Sequence, residues 1–584
     1  MYRCADWRTG AAEDVLDSTN VIVPSVREPA RVTLKRRSLH AAGWWLRSSV
    51  RIVIDPVFRR REIGLWREYR RWKREHGAAL RPSLAGGGRL PRVLIVGKET
   101  INGAKIELGL IKGFELAGYA PIVLTDRSFV KFYTLAGVTD FLHWEDFTDR
   151  LDRAGAGDAV NTCESLNDLL AFHHAGARVG RFAASSAFRF LRAGHLDLAD
   201  PKTRDVVVDH LALGMMRARA AQRIQQTVRP PLALFLGNRY TGQSELMDVC
   251  VAAGVSVITW FEAHRSNALM LKRYNRENTD EHHGSLSEQS WHLVRTMEWT
   301  AARRDELTHE IAHNYATGDW YCRGGTQFGR QIMSPAEITH RLGLDAGKKT
   351  AVIFPHIVWD ATLFWGRDLF ENYEQWLIET VRAACRNERL NWVIKIHPAH
   401  AVKNAWERQS IEPAELVAIR EQIGPLPSHV FVIPASTDIN TFSLFDVMNY
   451  CVTVRGTIGL EAATFGIPVV TAGTGRYDHK GFTIDSATRE EYLNRLARIE
   501  DLPQPTAPQR ELAERFAYGQ LILRPLSLET ITIEYERDAE ATMRVGLKAR
   551  SSDDLRNASD IKAFAEWVGH STDEDFLDRP SWID

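Results

Sequence analysis

Arg455-Gly-Thr-Ile-Gly-Leu-Glu461, followed by Ala462-Ala-Thr-Phe-Gly-Ile-Pro468, reads as the end of a strand, a tight turn of small residues and the start of a helix. A helix N-terminus leaves backbone N–H groups unpaired and carries partial positive charge, so such a turn favours an anion without a dedicated lysine. Thr457 adds a hydroxyl donor, and Gly456 and Gly459 are the small residues of the turn. Glu461 is expected in the first helical turn, where the dipole favours a carboxylate and where it can accept hydrogen bonds from ribose hydroxyls. A capped helix in any α/β domain has the same signature, so on this stretch alone the two readings stand level.

A second element tips the balance. Asn391-Trp-Val-Ile-Lys-Ile-His397-Pro398 is a short apolar strand that delivers a histidine and a proline at its C-terminal edge, where ligands of open α/β sheets gather. Proline cannot donate to a ladder, so Pro398 ends the strand and holds His397 at the rim, ready to donate to a phosphate oxygen. A lone histidine is more often structural; one upstream of a Gly-Thr-x-Gly-x-Glu turn is less easily dismissed.

The first half of the chain carries a parallel-sheet pattern of its own. After a Pro/Gly-rich linker (Arg81 to Gly88), Arg92-Val-Leu-Ile-Val-Gly97 reads as a buried strand. It is followed by the Lys98-Glu-Thr-Ile-Asn-Gly103 loop, a helix from Ile106 to Ala117 and a strand from Pro121 to Asp126, which makes one βαβ unit. No GxGxxG is present, which argues against a dinucleotide cofactor. Strands resume at Leu232–Leu236 and Val255–Phe261, and both end in polar clusters, Gly237-Asn-Arg-Tyr-Thr-Gly242 and Glu262-Ala-His-Arg265. Asn238, Arg239 and His264 therefore face a cleft or cap helices, and polar residues at two successive rims favour the cleft.

Taken together, Lys395-Ile-His-Pro398, Asp438 to Asp446, Val454 to Glu461, Gly466-Ile-Pro468 and Tyr477-Asp-His-Lys-Gly-Phe482 resemble the bacterial capsule polysaccharide biosynthesis glycosyltransferases. The similarity is strong over about residues 350 to 485, and the block from Phe235 to Arg265 extends it to roughly half the chain. The resemblance implies two Rossmann-like domains facing a cleft (GT-B-like) and transfer of a sugar from a nucleotide-activated donor to a glycan or lipid-linked acceptor. A CMP-linked acidic sugar is among the donors it allows. It implies that His397, Thr457, Tyr477 and either Lys395 or Arg455 hold the departing phosphate without metal, and that His356, Trp359 and Asp360 line the cleft. Inverting transfer needs a base from the first domain; Glu262 and His264 are the first candidates and Glu99 the next. A teichoic-acid-type glycerol or ribitol phosphate transferase typically has Asp-Tyr-Ser-Ser at this turn, unlike the present chain. A sugar-nucleotide 2-epimerase and a catalytically silent scaffold of a polysaccharide export complex are further alternatives.

Composition fits that picture. At 584 residues and 44% hydrophobic content the chain is expected to fold as two sizeable domains with appendages. The divisions expected are a basic N-terminal extension (1–90), an acceptor-side domain (91–345), a nucleotide-sugar domain (346–535) and a polar tail (536–584). The 74 acidic and 74 basic side chains cancel, so no overall field points to nucleic acid. The six cysteines, at 4, 163, 250, 322, 385 and 451, lack metal or disulfide spacing, and no Asp-x-Asp cluster for Mg²⁺ is found near a strand end, although Asp553-Asp554 occurs in the polar tail. No metal and no cofactor are expected, and a reducing cytoplasm is the natural setting. Between Phe58 and His76, eight basic residues surround Leu65, Trp66, Tyr69 and Trp72 at helical spacing, with Trp44, Trp45 and Leu46 upstream. That composition predicts a basic amphipathic helix which either lies on an anionic membrane, at the inner face of the cytoplasmic membrane, or packs on the first domain with its charges solvated.

Overall fold

The computed structural model describes residues 48, 50–86, 88, 90–237, 239–321, 326–360, 363–536 and 543–578. Asn238, Trp44 to Leu46 and the Gly324-Gly325 pair lie outside them. Helix α1 (Pro56–Leu80) starts at Asp55, whose carboxylate accepts from the N–H groups of Val57 and Phe58 at 2.9 and 3.1 Å, with Pro56 at the first helical position. Phe58, Leu65, Trp72 and Ala79 recur every seven residues and so share one face; all are buried. The Trp72 ring packs under the Lys105 ammonium at 4.8 Å. Leu65 and Trp72 are therefore core residues of the first domain, as the packing alternative has it, while Trp66 stays exposed. The helix is also not an appendage.

The first sheet takes β1 (Arg92–Val96), then helix α2 (Ile101–Leu116), β2 (Ala120–Leu124) and β3 (Asp140–Leu142). Helices α3 (Val179–Leu191) and α4 (Pro201–Val228) follow, then β4 (Leu232–Leu236), α5 (Ser244–Ala252), β5 (Ser256–Glu262) and β6 (Ala268–Tyr274). Its strands run in the order β3-β2-β1-β4-β5-β6, parallel from β3 to β5, with β6 antiparallel. The parallel strands read as unbroken apolar runs because helices cover both faces.

Helices α6 (Glu288–Thr296) and α7 (Ala301–Thr317) belong with the second domain, not the first: Trp291, Leu307, Ile311 and Tyr315 are buried in one cluster with Leu460 and Phe516. The second sheet is built from β7 (Thr350–Ile353), α8 (Tyr373–Arg386), β8 (Asn391–Lys395), β9 (Val430–Ile433), β10 (Tyr450–Thr453), α9 (Thr457–Thr464), β11 (Val469–Thr471) and β12 (Ile484–Asp485). All six strands are parallel, in the order β9-β8-β7-β10-β11-β12.

After α10 (Ala507–Tyr518) the chain returns to the first domain. Strand β13 (Pro525–Ser527) extends the first sheet antiparallel to β6, β14 (Ile531–Tyr535) pairs with β15 (Met543–Leu547), and α11 (Ser559–His570) lies on α2. Gly113 of α2 permits the approach: a Cβ there would stand 2.3 Å from the Phe564 ring. The expected polar tail is thus a structural layer, with Ile561, Phe564, Trp567 and Val568 buried. Two of its acids, Asp560 and Asp575, are buried too. Asp575 meets Lys272 at 3.1 Å and Arg524 at 3.3 Å and accepts from the Ser287 N–H at 2.7 Å, so although burial alone would raise its pKa, these cations hold it at about 2.

Candidate functional site

Winding reverses between β7 and β10 in the second sheet, and it is at such a switch point, beyond the C-terminal strand ends, that open α/β sheets bind ligands. The turn after β10 is tied together by short-range bonds: the Thr453 hydroxyl donates to the Phe354 carbonyl at 3.3 Å and accepts from the Gly456 N–H at 3.3 Å. Gly456 caps α9 with no side chain, so the first turn of that helix presents backbone N–H groups and the Thr457 hydroxyl. Tyr477, fully buried, donates to the Gly456 carbonyl at 2.6 Å and rests on Gly459, where a Cβ would stand 2.2 Å from its hydroxyl. Tyr477 and Gly459 therefore shape the turn.

Two imidazoles flank it. His356, past the end of β7, accepts the Arg455 N–H at Nε2 (3.2 Å), which leaves the proton on Nδ1. His397, past β8, accepts the Ala399 N–H at Nδ1 (3.2 Å), which leaves Nε2–H as a donor. Burial, reinforced by Arg455 and Arg476, keeps His356 well below the usual histidine range; burial, then His400 and Lys395, pushes His397 down to about 3. Both are neutral donors at pH 7.

Three residues expected to meet the donor are placed otherwise. Arg455 turns its guanidinium to the Phe364 and Trp365 carbonyls and to Asp368, and so fastens the 364–368 loop to the turn. Burial raises Asp368 to about 6 in spite of that arginine. Lys395 is buried and donates to the Ile396 carbonyl at 3.1 Å; burial, with Arg330 nearby, lowers it to about 7. Glu461 lies in the second turn of α9, since the helix starts at Thr457, and it is buried, accepting from the Tyr315 hydroxyl. The expectation of a first-turn carboxylate is corrected accordingly.

On the first-domain side, Glu262 pairs with Lys98 at 3.7 Å across the ends of β5 and β1. His264 is buried against Glu310 of α7 at 2.8 Å, and Arg265 joins it at 3.0 Å. Burial would raise Glu310, yet the bonds from His264 and Arg265 bring it to about 2, so this group is an ionic clasp on α7. Glu99, at the end of β1, accepts the Asp126 N–H at 2.8 Å; burial and the Asp126 charge raise it to about 7. Asp360 bridges the domains by accepting from Arg189 at 2.9 Å and from the Tyr240 hydroxyl.

Arg239, a cleft candidate from the sequence, stands in a group with His282, His283 and Arg476, which the sequence did not single out. His282 and His283 stack at 4.1 Å, and His282 meets the Trp365 ring at 5.1 Å, while the Arg239 guanidinium lies 5.0 Å from the same ring. Arg476 donates to the Arg455 carbonyl at 3.4 Å. Among the described residues, Arg239 Nη1, His283 Nδ1, Arg455 Nε and Arg476 Nε are buried without a hydrogen-bond partner. Such nitrogens are costly unless something meets them. Among the described residues no group of three or more His, Cys, Asp or Glu side chains is placed to hold a metal.

Comparison with solved structures gives low-identity likenesses. A KpsC β-Kdo 2,4 transferase of Thermosulfurimonas dismutans is 13% identical, with a TM-score of 0.31, over 56% of this chain and 87% of that one. A UDP-GlcNAc 2-epimerase of Neisseria meningitidis is 11% identical, with a TM-score of 0.26, over 73% and 95%. At such scores no function is carried across. Comparison with curated proteins gives no match. The family model described as "Capsule polysaccharide biosynthesis protein" matches residues 333–513, a span that holds His356, His397, Thr457 and Tyr477. Residues 333–513, within the second domain, are thus similar to the capsule polysaccharide biosynthesis family.

Proposed function

We propose that this protein is a GT-B-type glycosyltransferase of capsule polysaccharide synthesis, which moves a sugar from a nucleotide-activated donor onto a glycan or lipid-linked acceptor. The observation that carries the reading is the convergence, at the switch point between β7 and β10, of the uncapped start of α9 with two neutral histidines. Phosphate leaves in such a transfer, and preorganised donors aimed at it lower the barrier. In this reading the His397 Nε2–H, the Thr457 hydroxyl and the N–H groups of α9 receive the departing phosphate, and no metal is required. Arg239, His282, His283 and Arg476 support an anionic donor, a CMP-linked acidic sugar included. Glu99 is the base, because a carboxylate with a pKa of about 7 both ionises near neutral pH and accepts a proton readily. It takes the proton of the acceptor hydroxyl as that oxygen bonds to the anomeric carbon and the bond from that carbon to the phosphate oxygen breaks. Glu262 and His264 are engaged with Lys98 and Glu310 and hold structure.

The test is a thermal-shift panel of nucleoside mono- and diphosphates on the full chain, followed by turnover assays with sugars carried on the nucleotide that binds. Binding to the folded state alone raises its melting temperature. Selective stabilisation by one base is expected; no shift with any nucleotide at millimolar concentration contradicts the proposal.

A further inference from the structure

Ten large apolar side chains of the described residues are exposed, and seven of them, Val50, Ile52, Val53, Ile54, Val57, Ile63 and Trp66, fall between positions 50 and 66. Val53 and Ile54 are 72% and 73% exposed. Residues 50–54 are helical and run into α1 through Asp55, whose N–H donates to the Arg51 carbonyl at 2.8 Å. The inner face of α1 is taken up by the first domain, so this end of the helix pair projects apolar groups with none of the described residues beneath them. Solvent does not reward such clustering; it marks a contact surface.

The charge around the patch selects the partner. Arg59, Arg60, Arg67, Arg70, Arg71, Lys73 and Arg74 are all exposed on α1. Over residues 50–75 nine basic side chains face four acidic ones in a chain whose total charge is zero. Arg70 lies over the exposed Trp66 ring at 3.7 Å, an amphipathic pairing suited to a headgroup layer. We propose that residues 50–67 dock this protein on an anionic lipid bilayer, with Val53, Ile54 and Val57 entering the interface and Arg59, Arg60 and Arg67 meeting lipid phosphates. The docking end is the N-terminal tip, and it leaves Leu65 and Trp72 in the core. The inference stands apart from the donor site.

The test uses full-length protein, vesicles of phosphatidylcholine with and without 30% phosphatidylglycerol (about a third anionic lipid, in the range that attracts polybasic segments), and co-sedimentation at low and high salt. Wild type is expected to bind the anionic vesicles and to lose them as salt rises. Arg59→Gln/Arg60→Gln/Arg67→Gln should weaken binding on the order of a hundredfold, since each arginine near such a surface contributes about fivefold. Val53→Ser/Ile54→Ser/Val57→Ser should weaken it tenfold or more and leave the salt dependence in place. These side chains are solvated, so both variants should melt with the wild type, which keeps the comparison clean. Absence of binding at low salt, equal binding to neutral vesicles, or unchanged binding by both variants overturns the proposal. So does a self-association that the serine variant alone abolishes, or binding that disappears only on removal of residues 1–47.

Discussion

Glu461→Gln isolates the buried carboxyl beneath the phosphate turn. The side chain is 1% exposed and burial, opposed by the Tyr315 hydrogen bond and Arg476, raises its pKa from 4.5 to about 7. A folded-state value above the unfolded one means that the folded protein retains a proton which the unfolded chain releases. The stabilisation is therefore complete below pH 4.5, falls as pH rises toward 7 and is lost above it. A displacement of that size corresponds to roughly 3 kcal/mol across the window. Glutamine keeps the shape and an acceptor for Tyr315 but does not ionise, so the variant should match wild type to within about 1 kcal/mol at pH 4.5 and gain on it progressively up to pH 8. The assay is urea unfolding at half-unit pH steps with the difference in unfolding free energy plotted against pH. Parallel curves for the two proteins from pH 4.5 to 8 would refute the burial of this carboxyl under α9.

Three further outcomes follow from the same geometry. Gly459→Ala places a Cβ 2.2 Å from the Tyr477 hydroxyl and 3.1 Å from Thr453 and Val469 side chains, so the Tyr477 bond to the Gly456 carbonyl must give way; a loss of about 1–3 kcal/mol in thermal unfolding is expected. Asp575→Ala leaves Lys272 and Arg524 buried without their shared anion, and should cost about 3–5 kcal/mol by denaturant titration, more than any substitution of an exposed ion pair. For transfer activity, the raised pKa of Glu99 predicts kcat/KM that climbs with pH and levels above about 7; Glu99→Gln should remove that limb and about 10²- to 10⁴-fold of the rate, which pH-rate profiles will show.

Much of the second domain was legible because its signals are local. The His397-Pro398 strand end and the small-residue turn at Gly456 each need only their own neighbours in sequence, and the parallel strands on either side are unbroken apolar runs. The C-terminal return was not legible. Asp560 and Asp575 look like solvated acids of a polar tail, whereas Asp560 accepts from Thr530 and Asp575 from Lys272 and Arg524, the lysine some 300 residues away. Strand β6 was missed for the same reason, since Lys272 reads as a surface charge until its partners are known. His282 and His283 sit in a polar stretch, and only folding brings Arg476 and Trp365 against them. The face sense of α1 turned on packing too: Leu65 and Trp66 are adjacent in sequence, yet one is core and the other exposed.

Calorimetric titration of wild type, His397→Ala and Thr457→Ala with the nucleotide chosen by the thermal-shift panel is the most direct trial of the crevice between β7 and β10 as the donor site. Each lost hydrogen bond to phosphate should cost about 1.5–3 kcal/mol, a Kd raised about 10- to 150-fold, with melting temperatures of the free proteins unchanged to within a few degrees. Nucleotide affinity equal to wild type in both variants would place the donor elsewhere and contradict the proposed chemistry.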